Sequence, residues 1–145
     1  MRSLLFVPGD SPKKLDKGFS SGADVLIVDL EDSVAPGAKA EARRITADFL
    51  ASVRGAAERP VLYVRVNAFD TGLTDADLDA VIGAGAEGIM LPKACGGPDV
   101  ARLDGRIAVR EAESDRPDGA VRIIAIATET AAAIFHAGTY RGASG

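Results

Sequence analysis

Residues 24–34 read DVLIVDLEDSV, an apolar run that passes directly into three carboxylates, those of Asp29, Glu31 and Asp32. Such a run of aliphatic and β-branched residues is typical of a strand buried on both faces, as in a parallel sheet covered by helices. The carboxylates then follow the carboxyl end of that strand, where α/β folds place their ligand sites. Because like charges this close repel one another, a bound cation would stabilise them. The stretch therefore predicts an α/β fold with a metal ion at one end of the sheet.

The same alternation of strand and helix recurs along the whole chain. Apolar strands are predicted at residues 3–7, 25–30, 61–66, 88–91 and 121–127. Helical spacing follows each of them, at residues 12–19, 39–54, 74–83 and 98–113 and in an Ala-rich segment after residue 130. No hairpin dipeptides separate the strands, which favours a parallel sheet with right-handed crossovers.

Two of the predicted helices begin with recognisable capping residues. Ser11 precedes Pro12, a combination typical of an N-cap and a first-turn proline. Thr74 is followed three residues later by Asp77, which resembles a capping box.

Five strand–helix units are compatible with two architectures. At 145 residues, which suggests one domain, an open doubly wound sheet can be complete. A closed (β/α)8 barrel typically needs about 250 residues. Residues 137–145 read as a loop with no closing element, so the pattern looks cut off before a sixth strand.

The composition excludes several classes of protein. A net charge of -4, without a basic stripe, argues against binding to nucleic acid. The single cysteine, Cys95, rules out an internal disulfide and is typical of a reducing compartment. The apolar run at residues 4–7 is too short for a signal peptide, and no apolar segment is long enough to span a bilayer. We therefore expect a cytoplasmic protein that binds neither nucleic acid nor membranes.

Polar residues cluster just beyond the carboxyl ends of the predicted strands. They are Asp29, Glu31, Asp32, Arg65, Asn67, Lys93 and Glu129. Because these ends share one rim of a parallel sheet, the side chains are expected to converge. Glu129 suits Mg²⁺, which usually takes one or two carboxylates and keeps its other positions for water and substrate. The alternative for Glu129 is a glutamate at a helix N-terminus, stabilised by the helix dipole.

The two cations of this set also have two interpretations each. Arg65 interrupts an apolar strand and needs a partner. In a functional role it would clamp a substrate carboxylate or stabilise a developing enolate. In a structural role it would form an ion pair with Asp29 or Glu31. Lys93 would form either a Schiff base or, as we favour, a salt bridge at the rim. The only histidine, His136, lies in the last predicted helix, so no histidine-based metal site is available.

Five short motifs occur in a fixed order along the chain. They are RSLLFVPG at residues 2–9, the stretch at 24–34, VRVN at 64–67, LPK at 91–93 and TETA at 128–131. Together they resemble the citrate lyase beta subunit and malyl-CoA lyase group of the HpcH/HpaI aldolase superfamily, over essentially all 145 residues.

The resemblance implies a fold and a reaction. Members are (β/α)8 TIM barrels, usually trimers or hexamers, and residues 1–145 would be the first five βα units of one. They bind Mg²⁺ and cleave or form a carbon–carbon bond between an acyl thioester, on CoA or an acyl carrier, and a 2-oxo acid such as oxaloacetate or glyoxylate.

The resemblance also assigns roles to residues of this chain. Glu129 matches the first metal ligand and Arg65 the active-site arginine, while Phe6 and Lys17 match positions that line the thioester site. Asp29, Glu31 and Asp32 match a loop that supports the metal site. The family's second metal ligand, an aspartate in a Gly-x-x-Asp-Leu motif after strand six, is absent from this sequence.

The sequence therefore predicts an Mg²⁺-dependent carbon–carbon lyase, inactive as residues 1–145 alone. Two alternatives remain open. One is a metal-free aldolase that uses Lys93 as a Schiff base. The other is a half-barrel assembly module without turnover, whose open strand edges require a partner.

Overall fold

The computed structural model describes residues 2–143, in which five strands alternate with five α-helices. The strands are β1 (Leu4–Pro8), β2 (Val25–Asp29), β3 (Val61–Arg65), β4 (Gly88–Leu91) and β5 (Arg122–Ala125). The helices are α1 (Pro12–Phe19), α2 (Lys39–Val53), α3 (Thr74–Val81), α4 (Gly97–Glu113) and α5 (Ala131–Phe135). Single 3-10 turns occupy Pro36–Ala38, Phe69–Thr71 and Ala137–Tyr140.

The five strands form one parallel sheet in the order β1-β2-β3-β4-β5. A doubly wound sheet reverses its strand order at a switch point, whereas a (β/α)8 barrel adds each strand next to the previous one. The sequential order is therefore that of a barrel wall, and the predicted parallel α/β fold is confirmed. In this register Pro8, Asp29, Arg65 and Met90 lie side by side, so the carboxyl ends of the first four strands are level.

The two faces of the sheet bury different sets of side chains. The outer face packs on the helices in a large cluster that includes Leu26 and Val64 of the strands and Leu50 of α2. The inner face carries a smaller cluster of strand residues, namely Val25, Ile27, Tyr63 and Met90. Because the helices cover only the outer face, the inner face corresponds to the side of a barrel sheet that faces the barrel interior.

The predicted elements lie close to the observed ones, but the capping box predicted at Thr74 was wrong. Helix α3 begins at Thr74 itself, and Leu73 occupies the N-cap position. The Thr74 hydroxyl donates to the Asn67 carbonyl at 2.9 Å, so it is not a cap. Asp77 is fully buried and accepts the backbone N–H of Asn67 at 2.7 Å. Ser11 does occupy the N-cap position of α1, but its side chain makes no capping hydrogen bond.

The end of the chain also differs from expectation. The Ala-rich helix contains only the five residues Ala131–Phe135, and Ala137–Tyr140 of the predicted terminal loop form a 3-10 turn. Residues 144 and 145 of that loop lie outside the described residues. Within residues 2–143, every helix is too short or too polar to cross a membrane.

Candidate metal and substrate site

Arg65 and Asp29 form a two-pronged ion pair at the carboxyl ends of β2 and β3. They are direct neighbours in the sheet, and Arg65 donates from Nε to Asp29 Oδ1 at 2.8 Å and from Nη2 to Oδ2 at 2.7 Å. Burial raises the pKa of Asp29, but hydrogen bonds from Arg65, Ser33 and the Glu31 amide outweigh it and bring the pKa below its usual value. Asp29 is thus an ionised structural partner of Arg65.

Glu31 lies between two cations, and one of its oxygens has no aligned hydrogen-bond donor among the described residues. Its side chain is only 5% exposed, and Oε1 accepts a hydrogen bond from Lys93 Nζ at 2.8 Å. Nη1 of Arg65 lies 3.2 Å from Oε2, yet Oε2 has no aligned hydrogen-bond donor among the described residues. A buried oxygen without a donor is uncommon in folded proteins and indicates a place for a ligand.

The carboxylate of Glu31 converges with those of two other residues. One oxygen each of Glu31, Asp32 and Glu129 lie within 4.8 Å of one another. Glu129 Oε2 also accepts the backbone N–H of Lys93 at 2.7 Å, and Lys93 adopts a left-handed conformation with φ of 53°. An all-oxygen donor set of this kind fits a hard cation such as Mg²⁺. We call Glu31, Asp32 and Glu129 the carboxylate cluster.

The ammonium of Lys93 is a poor candidate for a Schiff base. Its side chain is 43% exposed and paired with Glu31. The hydrogen bond to Glu31 and the charge of that carboxylate raise the pKa of Lys93 above its usual value. Because a nucleophilic amine must be unprotonated, this environment disfavours covalent chemistry at Lys93.

A second polar network lies beneath the loop that follows β2, and sequence reasoning missed most of it. Asn67 lines one cavity with Glu31, Asp32 and Lys93, and its buried amide nitrogen donates to Leu30 O at 3.0 Å and to Asp77 Oδ2 at 2.7 Å. Asp77 also accepts from Arg43 Nε at 2.7 Å. Lys39 Nζ donates to two backbone carbonyls of the loop. No sequence pattern marks these roles, since the partners are distant in sequence or are backbone atoms.

Phe6 lies on β1 and Lys17 on α1, whereas Lys93 follows β4. In the order of the strands, they are therefore on opposite sides of Arg65 on β3. The Phe6 ring centroid is 5.0 Å from Arg65 Cζ, a cation–π distance. Phe6 and Lys17 also line a cavity of about 300 Å³ between β1 and α1, together with Lys14. The structure thus places these two predicted thioester contacts beside one hollow, with Phe6 reaching the ion-paired arginine.

Residues 2–139 match the HpcH/HpaI aldolase/citrate lyase family. The citrate lyase subunit beta of Leuconostoc mesenteroides subsp. cremoris is 34% identical over 137 residues, a match that covers 94% of this chain and 44% of that protein. A (3S)-malyl-CoA thioesterase of Cereibacter sphaeroides (strain KD131) is 40% identical over 98 residues, covering 63% of this chain and 32% of that protein. The chain spans less than half the length of these curated relatives.

Solved structures of similar fold come from Mycobacterium tuberculosis. Its protein CitE in complex with magnesium and acetate superposes with a TM-score of 0.69 at 30% identity, over 97% of this chain and 50% of that one. CitE in complex with magnesium, acetoacetate and coenzyme A superposes with a TM-score of 0.58 at 30% identity, over 92% and 51%. Sequence, strand order and superposition agree, and the chain belongs to the HpcH/HpaI aldolase/citrate lyase family.

Proposed function

We propose that this chain provides the metal-binding wall of an Mg²⁺-dependent carbon–carbon lyase. The substrate would be a 3-hydroxyacyl thioester of the citryl-CoA or malyl-CoA type, which is cleaved to, or formed from, an acyl thioester and a 2-oxo acid. The observation that carries the proposal is the carboxylate cluster beside Arg65, in which the buried Oε2 of Glu31 has no aligned hydrogen-bond donor among the described residues. The relative named citrate lyase subunit beta and the magnesium-containing CitE complexes support this reaction class, and the relative named (3S)-malyl-CoA thioesterase supports a substrate of the malyl-CoA type.

Glu129 would hold the cation, with Glu31 and Asp32 beside it. A cation held by these residues would supply Lewis-acid chemistry for a bound 2-oxo acid. Asp29 fixes the guanidinium of Arg65 through two hydrogen bonds, which leaves Nη1 facing the cluster. From there Arg65 would stabilise the negative oxygen of the enolate-like thioester as the carbon–carbon bond breaks or forms.

The thioester would approach from the side of β1. Phe6 would supply apolar contact, and Lys17 a positive charge for the phosphates of CoA or of an acyl carrier's prosthetic group. From the family resemblance we propose a homotrimer or homohexamer, and from the single cysteine we propose a cytoplasmic location.

The domain assignment remains part of the proposal. Residues 1–145 are proposed as the N-terminal part of a (β/α)8 barrel, with the second metal ligand after a sixth strand. On this view residues 1–145 alone bind the cation without turnover. A Schiff-base aldolase is disfavoured by the ion-paired Lys93, and an assembly module would bind neither Mg²⁺ nor substrate.

The test replaces Glu129 by glutamine, which keeps its size and removes its charge. Glu129→Gln is expected to weaken Mg²⁺ binding in calorimetric titration by about tenfold or more and to abolish release of the 2-oxo acid from citryl-CoA or malyl-CoA by the full-length protein. Glu113→Gln, at an exposed position at the end of α4, is the matched control and should change neither. Unaltered Mg²⁺ affinity in Glu129→Gln would remove Glu129 as a ligand.

A further inference from the structure

We propose that Lys39 is a positioning residue, whose ammonium holds the loop after β2 so that Glu31 and Asp32 face Glu129 as one cation site. The inference rests on the proposed function, because it assigns Lys39 a task at that same site. Lys39 acts through backbone atoms and not through contact with the ligand or with the reacting groups.

The contacts of Lys39 are short and unusual for a lysine. Nζ donates to the carbonyl of Leu30 at 2.7 Å and to that of Glu31 at 2.6 Å. These two carbonyls directly follow the last residue of β2, where the hydrogen-bond ladder of the sheet ends. Within residues 2–143, no carboxylate lies at ion-pair distance from Nζ. The ammonium of Lys39 thus donates two charge-assisted hydrogen bonds to the loop backbone.

These bonds complete a clamp on the peptide groups of Glu31. Its N–H donates to Asp29 Oδ1 at 2.8 Å, and its carbonyl accepts from Lys39. The preceding carbonyl, of Leu30, accepts from Asn67 Nδ2 as well as from Lys39. With the backbone held on both sides, the Glu31 side chain has one buried position, and Asp32 is carried to the cluster as the next residue.

The anchor of the clamp is a rigid helix. Lys39 is the first residue of α2 and follows the 3-10 turn Pro36–Ala38. Helix α2 is fixed by Ala42 and Leu50, both fully buried against the sheet. The ammonium therefore holds the loop that bears two of the three carboxylates in a fixed position relative to α2.

Electrostatics and positioning predict opposite signs for the removal of Lys39. A positive charge close to the cluster repels a divalent cation, so its loss alone would tighten Mg²⁺ binding. If the ammonium positions the loop, its loss releases Glu31 and Asp32, and Mg²⁺ binding weakens. The direction of the change in dissociation constant separates the two.

The experiment is a calorimetric Mg²⁺ titration of the full-length wild type and three variants. Lys39→Met removes the donors and keeps the length, and it is expected to weaken the affinity by about tenfold, a typical effect of losing a residue that orients metal ligands. Lys39→Arg keeps charge and donors and should restore most of the affinity. Lys13→Met, at an exposed position of α1, is the matched control and should bind as wild type does.

Affinity in Lys39→Met that is unchanged or tighter would overturn the inference. A Lys39→Met protein without cooperative thermal unfolding would overturn it too, because Lys39 would then hold the fold and not the loop. If wild type itself binds no Mg²⁺, the proposed function fails. The clamp is then judged by hydrogen exchange, in which the amides of residues 31–34 should exchange faster in Lys39→Met than in wild type; equal rates would overturn it.

Discussion

At the scale of single residues, the three carboxylates at the end of β2 differ in burial and in hydrogen-bond partners. Asp29 is fully buried, and its oxygens accept hydrogen bonds from Arg65 and Ser33. Glu31 is also buried but has one oxygen without an aligned hydrogen-bond donor among the described residues, and Asp32 is 66% exposed. The sequence presents the three as one acidic run. The three side chains differ in role because hydrogen-bond donors from the neighbouring strand and the loop contact some of their oxygens and not others.

Gly88 shows how tightly the inner face is packed. A Cβ on Gly88 would lie 2.0 Å from Cε1 of Tyr63, whose buried ring lies over β4. Gly88→Ala is expected to lower the free energy of unfolding by about 1–3 kcal/mol, because neither strand can withdraw. Denaturant unfolding measures this. Gly105→Ala, in open space on α4, should raise the free energy by about 0.4–1 kcal/mol. A Gly88→Ala protein as stable as wild type would contradict this packing.

At the scale of elements, periodicity located the strands and helices but not their connections. The predicted strand at residues 88–91 coincides with β4, and the predicted helix at residues 12–19 with α1. The capping box at Thr74 failed because both of its side chains bind Asn67 instead. Apolar spacing reports a buried face directly, whereas a polar side chain has several possible partners that only the folded chain brings close.

Helix α4 is joined to β5 by one buried carboxylate. Glu111 is 1% exposed and accepts the backbone N–H of Gly119 at 3.0 Å and of Val121 at 2.6 Å. The connection between the helix and the strand therefore depends on two acceptor oxygens of a single side chain.

Glu111→Gln is expected to lower the free energy of unfolding by about 1–3 kcal/mol. The amide group offers one acceptor oxygen where the carboxylate offers two, so one of the two backbone N–H groups, of Gly119 or Val121, loses its partner. Thermal and denaturant unfolding measure the change. Glu113→Gln, two residues later and exposed, should leave stability unaltered. Equal stability of the two variants would show that the loop after α4 does not need Glu111.

At the scale of the whole molecule, strand order sets where the site can form. Because each strand pairs with the next in sequence, residues from β2 to β5 and their loops reach one rim. On the inner face, Leu4 and Phe6 of the edge strand β1 are each 45% exposed, whereas Val25 and Ile27 of β2 are fully buried. The inner face of β1 is therefore accessible on the proposed thioester side, whereas that of β2 is covered.

The pH dependence of global stability is expected to include a contribution from Glu87, at the opposite end of the sheet. Burial raises the pKa of Glu87, but hydrogen bonds from Arg59 and the Leu62 amide outweigh it, and the pKa lies below its usual value. The folded state thus binds this proton more weakly than the unfolded state. The stabilisation is present above about pH 4.5 and is lost as pH falls through the lowered pKa.

Glu87→Gln should therefore be less stable than wild type at pH 7, by about 1 kcal/mol for a partly exposed ion pair. The difference should shrink in urea unfolding below about pH 4.5, the ordinary pKa of the carboxyl. Glu58→Gln, at an exposed position, is the control. A difference that stays constant down to pH 3 would show that the charge of Glu87 contributes nothing.

The sequence by itself determined a parallel α/β fold, the five strand–helix units and the rim at which Arg65 and Glu129 lie. Those features depend on local spacing of apolar residues and on the chain direction that parallel pairing imposes. Only the tertiary structure decided that Glu31 lies in the cluster between Arg65 and Lys93, and that Lys39 donates to the backbone of its loop. The physical reason is that a buried carboxylate is defined by its partners, and Lys93, the partner of Glu31, lies 62 residues away along the chain.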